Sequence, residues 1–161
     1  MRGLSFIVDG ELYAVDVTLV QKVARMLAVT PVPTAPAEVL GIANLKGRVI
    51  TVLSLCKLLG SEKPCVAALY VNTIVFKSGS SHEDQMGLAI EKPGNLIDID
   101  SNAIRPPPLT TDTDENFCIS GVTEINDTFY RIIDINSILR RYIYNRDAGS
   151  AKSSFGGTES E

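Results

Sequence analysis

The sequence predicts an all-β fold with short helices, arranged as two similar β units of about five short strands each. Two observations carry that prediction. Short runs rich in β-branched and aromatic residues recur along the chain, bounded by Gly, Pro, Asn and Asp. The chain also repeats itself: displaced by 80 residues, GIANLKGRVITVLSLCKLL (41–59) lies without gaps on GVTEINDTFYRIIDINSIL (121–139). Glycine meets glycine at 41 and 121. Apolar residues coincide at 42/122, 45/125, 49/129, 50/130, 52/132, 53/133, 55/135, 58/138 and 59/139, nine positions against roughly four expected by chance from a 45% apolar composition. Small β units bury their apolar faces by curling into barrels that pack against one another.

The elements follow in order. LSFIV (4–8) and LYAVDV (12–17) flank Asp9-Gly10, which accepts the positive φ of a tight turn, so a β-hairpin opens the chain. Thr18 with Gln21 three residues on has the spacing of a capping box and predicts a helix over about 18–25. Pro31, Pro33 and Pro36 hold the next stretch extended, before one helical turn at 37–40 that Gly41 is expected to end. IANLKGRVITVL reads as strand, Lys46-Gly47 turn and strand. SLCKLLG then reads as a short helix capped by Ser54 and stopped by Gly60. ALYVNTIVF (68–76), MGLAIE (86–91) and NLIDI (95–99) are further strands, the first two joined by a polar loop. RPPPLTTDTDEN leads into an acidic loop; FCISGVTEI and FYRIIDI form the last strand pair, and a helix at about 135–144 is capped by Asp134. The Gly-, Ser- and charge-rich tail, 146–161, is expected to be disordered.

Composition narrows the function. A chain of 161 residues buries roughly 70% of its unfolded surface as one domain, so a full core is available. The net charge of -4 and the absence of Trp argue against nucleic acid as a partner, which needs a basic groove and stacking platforms. Apolar stretches such as CVAALYV fall far short of the roughly 20 residues that span a bilayer, and no export signal is read at the N-terminus. Cys56, Cys65 and Cys118 are odd in number and lack a Cys-x-x-Cys pair, as for unpaired thiols in a reducing cytoplasm.

Chemistry-bearing groups are sparse. His82 is the only histidine and has no second ligand at metal spacing; Asp112, Asp114 and Glu115 lack the spacing of a calcium loop. No phosphate loop or nucleophile elbow is present, and no thiol has a histidine nearby in sequence to serve as its base. Asp16 and Glu91 read as the polar ends of two similar strands. No catalytic residue, metal or cofactor is expected, and the chain reads as a non-enzyme.

YAVDVTLVQKV, VTPVPTAPAEVLGIANLKGRVITVLSL, MGLAIE and FCISGVTEINDTFYRIIDINSIL, taken in order, resemble the successive signatures of the CheW-like family, the coupling proteins of bacterial chemotaxis. The resemblance runs from about Leu4 to Tyr142. It implies two SH3-like five-stranded barrels packed around a shared hydrophobic interface. The first would cover about 11–77, and the second about 84–145 with the N-terminal strand 1–10 crossing over to it. It also implies a cytoplasmic scaffold with two protein partners: the regulatory domain of the histidine kinase CheA, and the cytoplasmic hairpin tip of a methyl-accepting chemoreceptor. Carried onto this sequence, the protein-binding positions are Val20 and Lys22 in LVQKV, and Gly41, Asn44, Leu45, Lys46 and Gly47 in the glycine-led turn motif. The sequence departs from the family where Lys46 replaces the usual Arg and Lys22 a commonly acidic residue. Two lysines cannot form the ion pair that Arg with a carboxylate would, and Lys lacks the planar fork of Arg.

Overall fold

The computed structural model describes residues 1–60, 70–77, 85–107 and 117–142. Its strands are β1 (Arg2–Val8), β2 (Glu11–Asp16), β3 (Val20–Ala28), β4 (Val39–Leu45), β5 (Arg48–Ser54), β6 (Tyr70–Phe76), β7 (Gln85–Ile90), β8 (Lys92–Asp98), β9 (Ile119–Ile125) and β10 (Thr128–Ile133). Helix α1 spans Leu55–Leu58, and residues 135–142 form helix α2. The strands make two five-stranded sheets of order β8-β1-β2-β10-β9 and β3-β6-β7-β5-β4.

The two orders are one topology, circularly permuted: β8, β9, β10, β1 and β2 stand where β3, β4, β5, β6 and β7 stand in the other sheet. The correspondence reaches the pairing pattern. β5 pairs in parallel with β7, and its counterpart β10 pairs in parallel with β2. Each sheet curls until the chain after its first strand meets its last, through a Thr30–Ile42 bridge in one barrel and an Arg105–Val122 bridge in the other. The repeated glycines lie at these seams. A Cβ on Gly41 would fall inside contact distance of the Thr30 carbonyl oxygen, and one on Gly121 would lie 2.7 Å from that of Arg105.

Side-chain alternation sorts the apolar residues into three layers. Ile50, Val52 and Val75 fill one barrel, while Ala14, Ile99 and Ile132 fill the other. Their strand neighbours point the opposite way into one shared core, where Tyr13, Val15, Leu53, Ile74, Phe76 and Ile133 meet. Both short helices enter that core at repeat-equivalent positions, Leu55 and Leu58 from α1, Ile135 and Ile138 from α2. Each such large side chain taken fully out of water contributes roughly 1.5–3 kcal/mol, so the shared layer is what fixes the barrels to each other.

The N-terminal hairpin turns at Asp9 and Gly10, both with positive φ, as its sequence requires. The cap of α2 also follows expectation: Asp134 accepts the backbone N–H of Ser137 at 3.1 Å and its hydroxyl at 2.7 Å. Three expectations are corrected. No helix covers 18–25; a single 3-10 turn, Val17–Leu19, leads into β3, and its cap is Asp16, which accepts the N–H and hydroxyl of Thr18. β3 breaks its pairing with β6 between Val20 and Lys22 and again between Ala24 and Leu27, so its apolar residues lose strict alternation and imitate helical spacing. Gly41 stops no helix: 37 and 38 form a turn, and Gly41 sits inside β4, where only a hydrogen side chain admits the Thr30 strand.

The third correction concerns which strands share a barrel. Residues 1–10 join the second barrel, but β2 (Glu11–Asp16) goes with them, while β7 (Gln85–Ile90) belongs to the barrel of β3 to β6. The reason is physical: β2 pairs with β1 over its whole length, and β7 pairs with β6 from Gly87 to Ile90, so the hydrogen bonds keep each pair in one sheet. The readings for Cys65, His82, Asp112, Asp114, Glu115 and the tail 146–161 lie outside the described residues.

Candidate protein-interaction site

The β4–β5 hairpin turns through Lys46 (φ 50°) and Gly47 (φ 85°), the pair of left-handed residues that matches the twist of its strands. Asn44 locks it, its side-chain Oδ1 accepting the Gly47 N–H at 2.9 Å. Asn44, Lys46 and Gly47 are exposed, while Leu45 points inward against the barrel interior. The structure thus brings Asn44 to Gly47 into one protruding turn. Gly41 is buried under Thr30 and supports this hairpin without reaching its surface. Val20 and Lys22 are on β3, half-buried, with Val20 packed on the shared core and Lys22 paired with Val75.

Around the turn lie residues the sequence reading passed over. Val49 pairs with Asn44 and is 61% exposed; Ile42, also exposed, pairs with Thr51 on the same outward face, and Arg48 closes the hairpin opposite Leu45. The available signal was the alternation itself, since Ala43 and Ile50 are buried and their neighbours Ile42 and Val49 must therefore face out. Met26, 64% exposed, adopts φ 51° in the β3 bulge, where its N–H is accepted by Asn72 Oδ1 at 3.1 Å. No residue preference of the sequence announces that bulge.

The same hairpin in the other barrel makes an informative contrast. β9 and β10 turn through Asn126 (φ 52°) and Asp127 (φ 63°), and Phe129, 63% exposed, stands where Val49 stands. Arg105, Val122, Glu124, Asp127 and Phe129 line an open cleft of about 530 Å³ there. One geometry therefore carries a cationic turn on one barrel and an anionic turn on the other.

The titrating groups belong to the core. Burial pushes the Cys118 thiol up to about 11 and raises Tyr13, where the nearby Arg131 guanidinium opposes the shift. Tyr142, on α2, is raised by burial and by the negative charge of the nearby Glu38, in the turn that leads into β4. Among the described residues, no three His, Cys, Asp or Glu side chains gather as a metal site, and no helix is long and apolar enough to cross a membrane. The arrangement presents outward a hairpin whose turn is tied by the Asn44 side chain.

Comparisons with known proteins agree with this architecture. The CheW-like domain profile matches residues 2–142. The chain is 29% identical to a chemotaxis protein CheW of Helicobacter pylori over 144 residues, covering 88% of this chain and 82% of that protein. It is 24% identical to a chemotaxis protein CheW of Bacillus subtilis, covering 86% of each. The crystal structure of the scaffolding protein TtCheW from Thermoanaerobacter tengcongensis superposes with a TM-score of 0.69 at 28% identity, covering 83% of this chain and 88% of that one. Two permuted barrels of SH3-like type, a shared core and a match that spans both barrels place this chain in the CheW-like family.

Proposed function

We propose that this chain is a non-catalytic coupling scaffold of chemotaxis signalling. It works in the cytoplasm, holding the regulatory domain of a CheA-type histidine kinase and the cytoplasmic hairpin tip of a chemoreceptor. The observation that supports this most is the family match across both barrels, with relatives named chemotaxis protein CheW covered over most of their length. The physical logic needs no chemistry. A body whose barrels are fixed to each other by a common core transmits a bias from one bound partner to another, by as much as its contacts differ between the partner's two states. Asn44, Leu45, Lys46 and Gly47 form the recognition turn in this reading; Val20, Lys22 and Gly41 hold the barrel that carries it.

Calorimetric titration of the full chain against an isolated CheA regulatory domain and, separately, against a receptor hairpin tip tests the proposal. Saturable binding to both is expected. Binding to neither contradicts it.

A further inference from the structure

The 80-residue repeat reaches further upstream than its apolar positions show. In each barrel the N–H of the residue that caps the short helix donates to a carbonyl of the segment leading into the repeated hairpin: Ser54 to Glu38 at 2.8 Å, and Asp134 to Cys118 at 2.7 Å. Glu38 and Cys118 are therefore equivalent positions, and the fold uses the same backbone bond at both. Their side chains have nothing in common. Cys118 is buried in the shared core, whereas Glu38 is half-buried and carries a carboxylate.

Helix α2 gives that carboxylate its use. The helix follows β10 of one barrel, and Ile135, Ile138, Leu139 and Tyr142 pack on the shared core, as does Val39 of the other barrel. Its last two residues reach to both barrels. The Arg141 guanidinium lies over the Phe117 ring, 4.3 Å from its centroid, and the Tyr142 hydroxyl lies near the Glu38 carboxylate. The final turn of α2 thus meets the segment that leads into β9 and the segment that leads into β4, one from each barrel.

We infer that Glu38 and Tyr142 are a positioning pair, the polar tie that fixes the barrel of β3 to β7 to helix α2 of the other barrel and passes the bias between two bound partners. The inference rests on the coupling function proposed above and names the residues of this chain through which coupling runs. Apolar burial is non-directional, whereas a hydroxyl donating to a carboxylate sets both a distance and a direction. Glu38 serves as a link at both its ends: its carbonyl is held by the cap of α1 and its carboxylate faces α2, so one residue joins the two helices of the shared core. Stability alone does not call for a carboxylate here, because the equivalent position in the other barrel is filled by a thiol.

The test is a coupling measurement on the full chain. Calorimetry gives the Kd of the kinase regulatory domain with and without saturating receptor hairpin tip, and the ratio of the two is the coupling factor. For wild type the ratio is expected to differ from one by about fivefold or more. Tyr142→Phe, which keeps the ring and removes only the hydroxyl, should bring the ratio to within about twofold of one while each binary Kd stays within about threefold of wild type. Glu38→Gln keeps an acceptor and should retain most of the coupling; Glu38→Ala should lose it, and the double variant Glu38→Ala/Tyr142→Phe should lose no more than either single one. A wild-type ratio near one, a ratio unchanged by Tyr142→Phe and Glu38→Ala, losses that add in the double variant, or binary affinities that fall while the ratio holds would each overturn the inference and leave the holding of both partners standing. Binding of the wild type to neither partner overturns both. If Tyr142→Phe fails to fold, the contrast between Glu38→Gln and Glu38→Ala decides from the other side of the pair.

Discussion

Gly41 and Gly47 are both required in the β4–β5 hairpin, for different reasons. Gly47 needs its positive φ, and a Cβ there would meet nothing within 4 Å; Gly41 has ordinary backbone, but a Cβ would collide with the Thr30 carbonyl. Gly47→Ala should therefore cost about 1–2 kcal/mol, the penalty of a left-handed alanine. Gly41→Ala should cost more, about 3 kcal/mol, because backbone cannot yield as a side chain does. Urea denaturation of both variants checks the order, and a larger loss at Gly47 would show the seam to be looser than described. The sequence repeat marked Gly41 and Gly121 as a pair. It did not reveal that their role is close approach, because the strands they approach are brought there only by barrel closure.

Cys118 makes a prediction about pH at the same scale. Its thiol is raised from near 9 to about 11 by burial, so the folded state keeps a proton that the unfolded chain releases. Stability from this group is fully present below about pH 9 and is lost as pH climbs through about 11, with a slope of at most about 1.4 kcal/mol per pH unit. Tyr13 and Tyr142, also raised, extend the loss to higher pH. Denaturation midpoints should fall between about pH 9 and 11, and less so in Cys118→Ala once its own cavity cost is subtracted. A flat profile would mean that water reaches the thiol.

At the scale of elements, β3 is where sequence and structure part most clearly. Val20, Val23, Ala24 and Leu27 fall at helical spacing, and Thr18 with Gln21 imitates a capping box. In the fold the same residues serve a strand whose irregular pairing with β6 shifts the alternation. Asn72 completes that arrangement from β6, accepting the Met26 N–H and donating to the Glu91 carbonyl, each at 3.1 Å. Asn72→Ala should destabilise by about 1 kcal/mol and speed amide exchange at Met26, whereas Asn72→Asp, which keeps the acceptor, should retain protection there. Equal exchange in both variants would detach the bulge from Asn72. The hairpins and the α2 cap were legible because local rules decide them: Asp9-Gly10, Lys46-Gly47 and Asp134 act on their immediate neighbours.

For the whole molecule, the repeat conveyed more than any single motif. Two similar β units packed against one another follow from nine coincident apolar positions, and the shared interface is what the family resemblance implies. The circular permutation that sends β2 to one barrel and β7 to the other does not follow, because the repeat covers only one hairpin and helix of each unit. The β4–β5 turn was legible in the sequence, and the Met26 bulge on β3 was not. The shared core underlies the proposed function, because two barrels fixed to each other by a common core can pass a bias from one bound partner to another. The most direct test is sedimentation velocity of the full chain mixed with both a CheA regulatory domain and a receptor hairpin tip. The account predicts a single faster species containing all three proteins; two binary complexes that displace one another, with no ternary species at any ratio, would contradict it.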